Sequence, residues 1–187
     1  MKLKLVKFKR IKSTNNEAIK LIRSDKYSSG LVSADSQTKG RGTMGKKWIS
    51  HKGNIFISIF FKVNLIKLKI ENYLAINAKI IKKILNEYTK KIIKIKKPND
   101  LLIDGKKICG ILQEIIVHKK KKYLITGIGI NTKISTLNKN FKCTSLKIHS
   151  NKNINNKTII KKIKKSYDKL IYDINNQNYL YVKKKYK

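Results

Sequence analysis

Residues 39–48 read KGRGTMGKKW, with three glycines in six positions beside Arg41 and the only tryptophan. Glycine lets a backbone turn tightly and lie close to a bound molecule. Arg41 and Lys46 add fixed positive charge suited to a carboxylate or a phosphate. The stretch therefore has the composition of an anion-binding loop. Its spacing is neither the Walker A pattern GxxxxGK(S/T) nor GxGxxG opening a helix. Taken alone, GRG is more readily an ordinary glycine-rich connection, so its weight depends on what the rest of the chain places around it.

The flanking segments are strand-like. GLVSADSQ (30–37) delivers Gln37 to the start of the loop, and NIFISIFFKV (54–63) leaves it as a buried-strand candidate. Ahead of them, LKLVKF (3–8) alternates apolar and basic residues, the pattern of a half-buried strand. STNNEAIKLIRS (13–24) reads as a short helix, with Thr14 and Glu17 as a capping box. A helix N-terminus carries unsatisfied N–H groups, so the Ser13-Thr14-Asn15 run suits capping or ligand binding equally. Residues 70–88 show helical spacing through Leu74, Ala78, Ile81 and Leu85. A short strand at 92–96 leads into KPND. Residues 100–118 look like two strands joined at the tight-turn pair Asp104-Gly105, and 120–132 returns as another strand across an exposed HKKKK connection. Residues 157–174 form a late amphipathic helix, after a linker at 150–157 and before a polar, basic tail. The expected fold is α/β (α+β), a mixed β-sheet with packed helices in a single domain over 1–187.

Composition narrows the function classes. The formal net charge is +36, and only Arg10, Arg23 and Arg41 are arginine. Lysine, isoleucine and asparagine dominate, and each has codons built from A and T alone, so much of the charge reads as drift on solvated faces. Such a charge attracts phosphate polymers whatever its origin. The chain nevertheless shows no helix-turn-helix-like pair, zinc spacing or RNP1 pattern, so no specific DNA binding is expected. Cys109 and Cys143 form no CxxC pair, and His51, His118 and His149 are scattered. No apolar run reaches membrane-spanning length and no signal peptide is evident, so a cytoplasmic protein is expected.

Five segments stand in order: STN (13–15), Gln37 with GRGTMGKKW, KKPND (96–100), GKKICGILQE (105–114) and GIGIN (127–131). This order resembles that of biotin protein ligases (biotin–acetyl-CoA-carboxylase ligases), whose pattern runs STN, QTxGRGxxGRxW, KWPND, K(L/I)xGILxE and G(I/A)G(I/L)N. CTSL (143–146) resembles the later ATSL of that family, and the helix at 157–174 fits the end of its catalytic domain. The resemblance implies a biotin/lipoate ligase-like catalytic domain that makes biotinyl-5′-AMP from biotin and ATP. It then passes biotin to a lysine of a biotin carboxyl carrier protein. It also implies roles. Arg41 and Lys107 stand beside the carboxylate and α-phosphate as the catalytic pair. Ser13, Thr14, Asn15, Gln37, Gly40, Gly42, Thr43 and Gly110 join them around biotin. Lys46, Trp48, Asn99, Asp100 and Asn131, with Lys107, surround ATP, and Asp100 is the candidate for Mg²⁺. With STN beginning at residue 13, no N-terminal winged helix is expected, and a small C-terminal domain is expected to be absent or vestigial. No membrane partner is expected, and the sequence leaves the oligomeric state open, a monomer and a weak dimer being equally compatible with it. The rival readings are a lipoate or octanoate ligase-type acyltransferase of related fold and a non-enzymatic basic nucleic-acid binder.

Three positions depart from the family pattern. Lys46 stands where arginine is usual, Thr43 where some members carry arginine, and Lys97 where tryptophan precedes Pro-Asn-Asp. Lysine keeps the charge but loses the guanidinium fork. A charge-assisted hydrogen bond contributes about 1.5–3 kcal/mol. Thr43→Arg is therefore expected to slow biotinyl-5′-AMP dissociation roughly ten- to a hundred-fold, read from single-turnover release; equal rates in the two proteins would remove the idea.

Overall fold

A computed structural model describes residues 2–64, 68–135, 142–177 and 179–186. Seven strands form one sheet: β1 (Lys4–Ile11), β2 (Ser29–Gln37), β3 (Ile55–Lys62), β4 (Ile93–Lys96), β5 (Asp100–Ile103), β6 (Lys106–His118) and β7 (Lys121–Ile130), in the order β1-β2-β3-β7-β6-β5-β4. Among the described residues β1 and β2 are the one parallel strand pair, because helix α1 (Thr14–Arg23) carries the chain back between them. Helix α2 (Ile70–Asn86) takes the chain from β3 to the far edge, and β4 to β7 then return as an antiparallel meander that closes against β3. Asp104 and Gly105 both have positive φ, the geometry of a two-residue hairpin turn, as the dipeptide predicts. The mixed sheet with packed helices expected from the sequence is the fold observed.

The strand period of two gives the sheet two apolar faces. One is covered by α2 and by α3 (Asn156–Asn176), which bury Tyr73, Ile81, Leu85, Ile163, Tyr167 and Leu170 against Ile57, Ile59, Ile111, Leu124 and Ile128. The other is covered by α1, whose Ala18, Leu21 and Ile22 pack on Val32, Phe60, Tyr123 and Ile125. Because α1 is only ten residues long, it covers part of that face. The neighbouring stretch of β6 and β7 lies beyond its N-terminus, and the cleft described below occupies it.

Two expectations need correction. The capping residue of α1 is Ser13, in extended conformation with Oγ accepting from Asn16 N at 3.5 Å; Thr14 is already helical, and the Thr14–Glu17 box does not form. Thr14 is drawn the other way, its backbone N and hydroxyl donating to Gln37 Oε1 at 2.7 and 3.1 Å. The polar tail is also more ordered than expected. Residues Tyr179–Tyr186 form helix α4, docked through buried Val182 and through Lys185 Nζ and Tyr186 Oη, which lie 2.7 and 2.8 Å from Asp173 Oδ2. Asp173 is 4% exposed, and a carboxylate so buried requires such partners. Among the described residues no helix is long and apolar enough to cross a membrane.

A buried chain of hydrogen bonds ties the helical layer to the sheet. Tyr167 Oη donates to Asn77 Oδ1 at 2.7 Å, and Asn77 Nδ2 donates to Thr126 Oγ1 at 3.2 Å. Removing the hydroxyl leaves Asn77 Oδ1 short of a donor, which costs about 1–3 kcal/mol. Tyr167→Phe is expected to lower unfolding free energy by that amount in urea titration, with the m-value unchanged.

Candidate active site

The floor of the cleft is backbone. Gly110 on β6 pairs with Gly129 on β7, and Leu112 pairs with Gly127, so three glycines share one face of two adjacent strands. A Cβ at Gly110 would stand 2.6 Å from Trp48 Cζ3, one at Gly129 would overlap Trp48 Cε2, and one at Gly127 would overlap Asn15 Oδ1. The missing side chains therefore make room for an indole lying on the sheet and for the N-terminus of α1. Trp48 Nε1 is buried there with no hydrogen-bond partner among the described residues.

Lys107 overlies the same floor because β6 carries a bulge. Leu101 pairs with Cys109 but Leu102 pairs with Lys107, leaving Ile108 as the extra residue. Ile108 and Cys109 both enter the core, while Lys107 turns to the cleft side over Gly110. Bulges re-aim side chains in this way. The freed backbone is held by Lys107 N donating to Lys142 O at 2.8 Å, Thr144 N to Lys107 O at 3.0 Å, and Asn131 N to Ile108 O at 2.8 Å. Lys107 Nζ pairs with Asp100 Oδ1 at 2.7 Å and lies 5.2 Å from the Trp48 ring centroid. Burial pushes the Cys109 thiol up, so it sits in the motif as a small apolar filler rather than a nucleophile.

A polar network forms the inner end. Thr14 meets Gln37 as described; Ser58 Oγ lies 2.7 Å from Thr14 Oγ1 and also contacts Asn15 Oδ1; Gln37 Nε2 donates to Ser50 Oγ at 2.9 Å. Asn15 Nδ2 donates to Glu114 Oε2 at 2.6 Å, and Arg41 Nη2 donates to that same oxygen. The glycine loop folds as a small hairpin: Gly42 N donates to Lys46 O at 2.7 Å, Lys46 N to Thr43 O at 3.1 Å, and Trp48 N to Gly40 O at 2.9 Å. Met44 and Gly45, both at positive φ, make its tip.

The cleft encloses about 450 Å³ open to solvent and is lined by Ser13, Asn15, Gln37, Arg41, Gly42, Thr43, Trp48, Asn99, Lys107 and Gly110, with Ile111, Leu112, Gly127, Ile128 and Gly129. Ten of the residues singled out from the sequence are thus brought together. Asp100 flanks them through Lys107, Thr14 stands behind Gln37, and Gly40 anchors Trp48. These three lie just outside the lining, and two more stand further from it: Lys46 is exposed on the outer limb of the hairpin, and Asn131 is fully buried beside Asn54. Sequence reasoning missed Glu114, Ser58, Gly127 and Gly129 as individual contributors. Glu114, Gly127 and Gly129 lie inside quoted motifs, two or four residues from Gly110 or Asn131, and the strand period of two was the available signal; Ser58 carried none.

This architecture is that of the biotin and lipoate ligases. It matches the biotin protein ligase of Aquifex aeolicus, solved with biotin and ATP, at a TM-score of 0.76 and 27% identity over 94% of this chain and 73% of that one. Residues 7–131 match the Biotin/lipoate A/B protein ligase family, and the chain belongs to it. The bifunctional ligase/repressor BirA of Bacillus subtilis is 34% identical over 123 residues, 65% of this chain and 38% of that relative's length. The lipoate-bound LipL1 of Plasmodium falciparum shares the fold alone, at a TM-score of 0.61 and 13% identity. The likeness to the catalytic domain of biotin protein ligases, read from five motifs, is borne out.

Gly129→Ala places a methyl group in the space of the Trp48 indole. The indole belongs to a surface loop and is able to swing out, so the cost in stability is expected to stay below about 1 kcal/mol. Emission from this sole tryptophan is expected to shift to longer wavelength with greater access to a quencher; unchanged emission would show that the ring does not depend on the bare floor.

Proposed function

We propose that this chain is an ATP-dependent biotin ligase that forms biotinyl-5′-AMP and transfers the biotinyl group to a lysine of a biotin carboxyl carrier protein. The observation that carries the reading is the convergence of Arg41 and Lys107 on one glycine-floored cleft whose inner end is a network of hydroxyl and amide side chains, Thr14, Asn15, Gln37 and Ser58. Biotin's carboxylate and the triphosphate repel each other, so their reaction needs cations fixed where both can be held in line. A carboxylate oxygen attacks the α-phosphorus, the bond from the α-phosphorus to the α,β-bridging oxygen breaks, and the β- and γ-phosphates leave together as pyrophosphate. Lys107 stabilises the charge that develops on the α-phosphoryl oxygens, and Arg41 holds the carboxylate. In the second step the neutral amine of the carrier lysine attacks the acyl carbonyl, AMP leaves, and the amine's proton is lost to solvent.

Ser13, Asn15 and Gln37 present amide and hydroxyl groups of both hydrogen-bonding senses. A cyclic urea with two N–H donors and one carbonyl fits such an end better than the apolar dithiolane of lipoate, which would leave polar groups unpaired. Trp48 offers an aromatic face to adenine, as the family resemblance implies. Magnesium accompanying a triphosphate requires only one or two protein carboxylates. Asp100, beside Lys107, fits as a single donor, and it would supply charge neutralisation of the phosphates.

ATP–pyrophosphate exchange with biotin and with lipoate tests the reading, followed by transfer to a carrier domain. Biotin-dependent exchange is expected, with Lys107→Ala slowing adenylate formation by about 10²–10³-fold, the usual worth of one preorganised electrostatic contact. Exchange with lipoate but not biotin would move the assignment to the other branch of the family. Binding of polyanions without exchange would leave only the basic-binder reading.

A further inference from the structure

Glu114 is absent from every role assigned above, yet it touches both halves of the cleft. Its Oε2 accepts from Asn15 Nδ2, at the N-terminus of α1, and from Arg41 Nη2, on the glycine loop. It stands on the cleft face of β6, four residues past Gly110 and opposite Ile125. One carboxylate oxygen thereby joins three segments that are distant in sequence: residue 15, residue 41 and residue 114. The rest of the loop is closed by backbone bonds within 40–48 and by the Gln37–Ser50 contact at its base. Arg41, the loop's inward cation, has its side chain 39% exposed, against 25% for Glu114. A guanidinium so open to water adopts many rotamers unless something holds it.

We propose that Glu114 is a positioning residue that seats Arg41 and Asn15 together and so keeps the glycine loop folded over the cleft. The chemistry fits. A carboxylate oxygen has lone pairs for two donors at once, and one of these donors is cationic, which makes the bond short and strong. Arg41 donates to Glu114 through Nη2, which orients the guanidinium, and Asn15 is held with Oδ1 toward Ser58. Preorganisation of this kind lowers the ordering cost of binding and acts on affinity rather than on the chemical step. The proposal rests on the ligase reading for its functional half and on the hydrogen bonds of Glu114 alone for its structural half.

The test compares the ligand-free full chain with Glu114→Gln, which keeps the shape but loses the charge. Glu71→Gln, on the exposed face of α2, serves as the charge-matched control. Hydrogen exchange at Gly42, Lys46 and Trp48, whose N–H groups close the loop, is expected to rise about tenfold in Glu114→Gln and not in Glu71→Gln, a tenfold change being the loss of one modest contact. Biotinyl-5′-AMP dissociation is expected to speed by a similar factor while the rate of adenylate formation at saturating substrate stays near that of the parent. Glu114→Asp, with charge kept and reach shortened, is expected to fall between the two and guards against a misfolded Gln variant. Exchange in Glu114→Gln equal to that in Glu71→Gln would overturn the proposal. Faster loop exchange in a chain that never binds biotin or its adenylate would leave the clamp standing and remove the ligase reading instead.

Discussion

A strand presents its side chains to alternate faces, and the cleft depends on one local break in that rule. Counting back along β6 from Glu114, Leu112 and Gly110 on the cleft side, the next residue on that side would be Ile108, and Lys107 would point into the core. An ammonium in an apolar core is expensive, and an isoleucine over the cleft would fill it. The extra residue opposite the Leu101/Leu102 step resolves both conflicts by sending Ile108 and Cys109 inward together. The bulge costs ladder bonds, and the segment around Cys143 replaces them on the exposed backbone of Lys107. The CTSL stretch therefore has a physical role. It splints the irregularity on which the position of Lys107 depends.

The three glycines answer the complementary need. A flat, side-chain-free surface on two central strands is unusual, because glycine weakens strands and leaves nothing to pack. Here the loss is offset by Trp48 and Asn15, which come down onto the bare backbone from elements outside the sheet. The sheet supplies the surface, the loop and α1 supply the side chains, and the carboxylate of Glu114 ties the two suppliers together.

Much of this was legible in the sequence. The periods of two and 3.6 residues located the strands and the three longer helices, Asp104-Gly105 marked a hairpin, and motif order pointed to the ligase fold. What stayed hidden depended on partners far away in the chain. Thr14 fits a capping box locally, but Gln37, 23 residues on, and Ser58, 44 residues on, claim its hydroxyl region. Helix α4 is a lysine-rich octamer of low intrinsic promise, ordered because Asp173 lies waiting on α3. Asn131 follows a glycine-rich motif toward the cleft, but the turn after β7 carries its side chain inside, next to Asn54. Local pattern cannot distinguish these outcomes, since tertiary partners override propensity.

The ion pairs carry one more implication. Eight of the ten acidic residues lie within 4 Å of a basic group, and several of these pairs join separate elements: Asp25 to the β6–β7 turn, Glu87 to α3, Asp100 to Lys107, Glu114 to the glycine loop. The 46 lysines and arginines far outnumber these anchors, so most cations face only one another and the solvent. Mutual repulsion of this size works against compactness, and at ionic strength near 0.01 M it reaches across about 30 Å. Dissolved anions are in that sense a missing structural component of this molecule, supplied by the medium instead of by the chain.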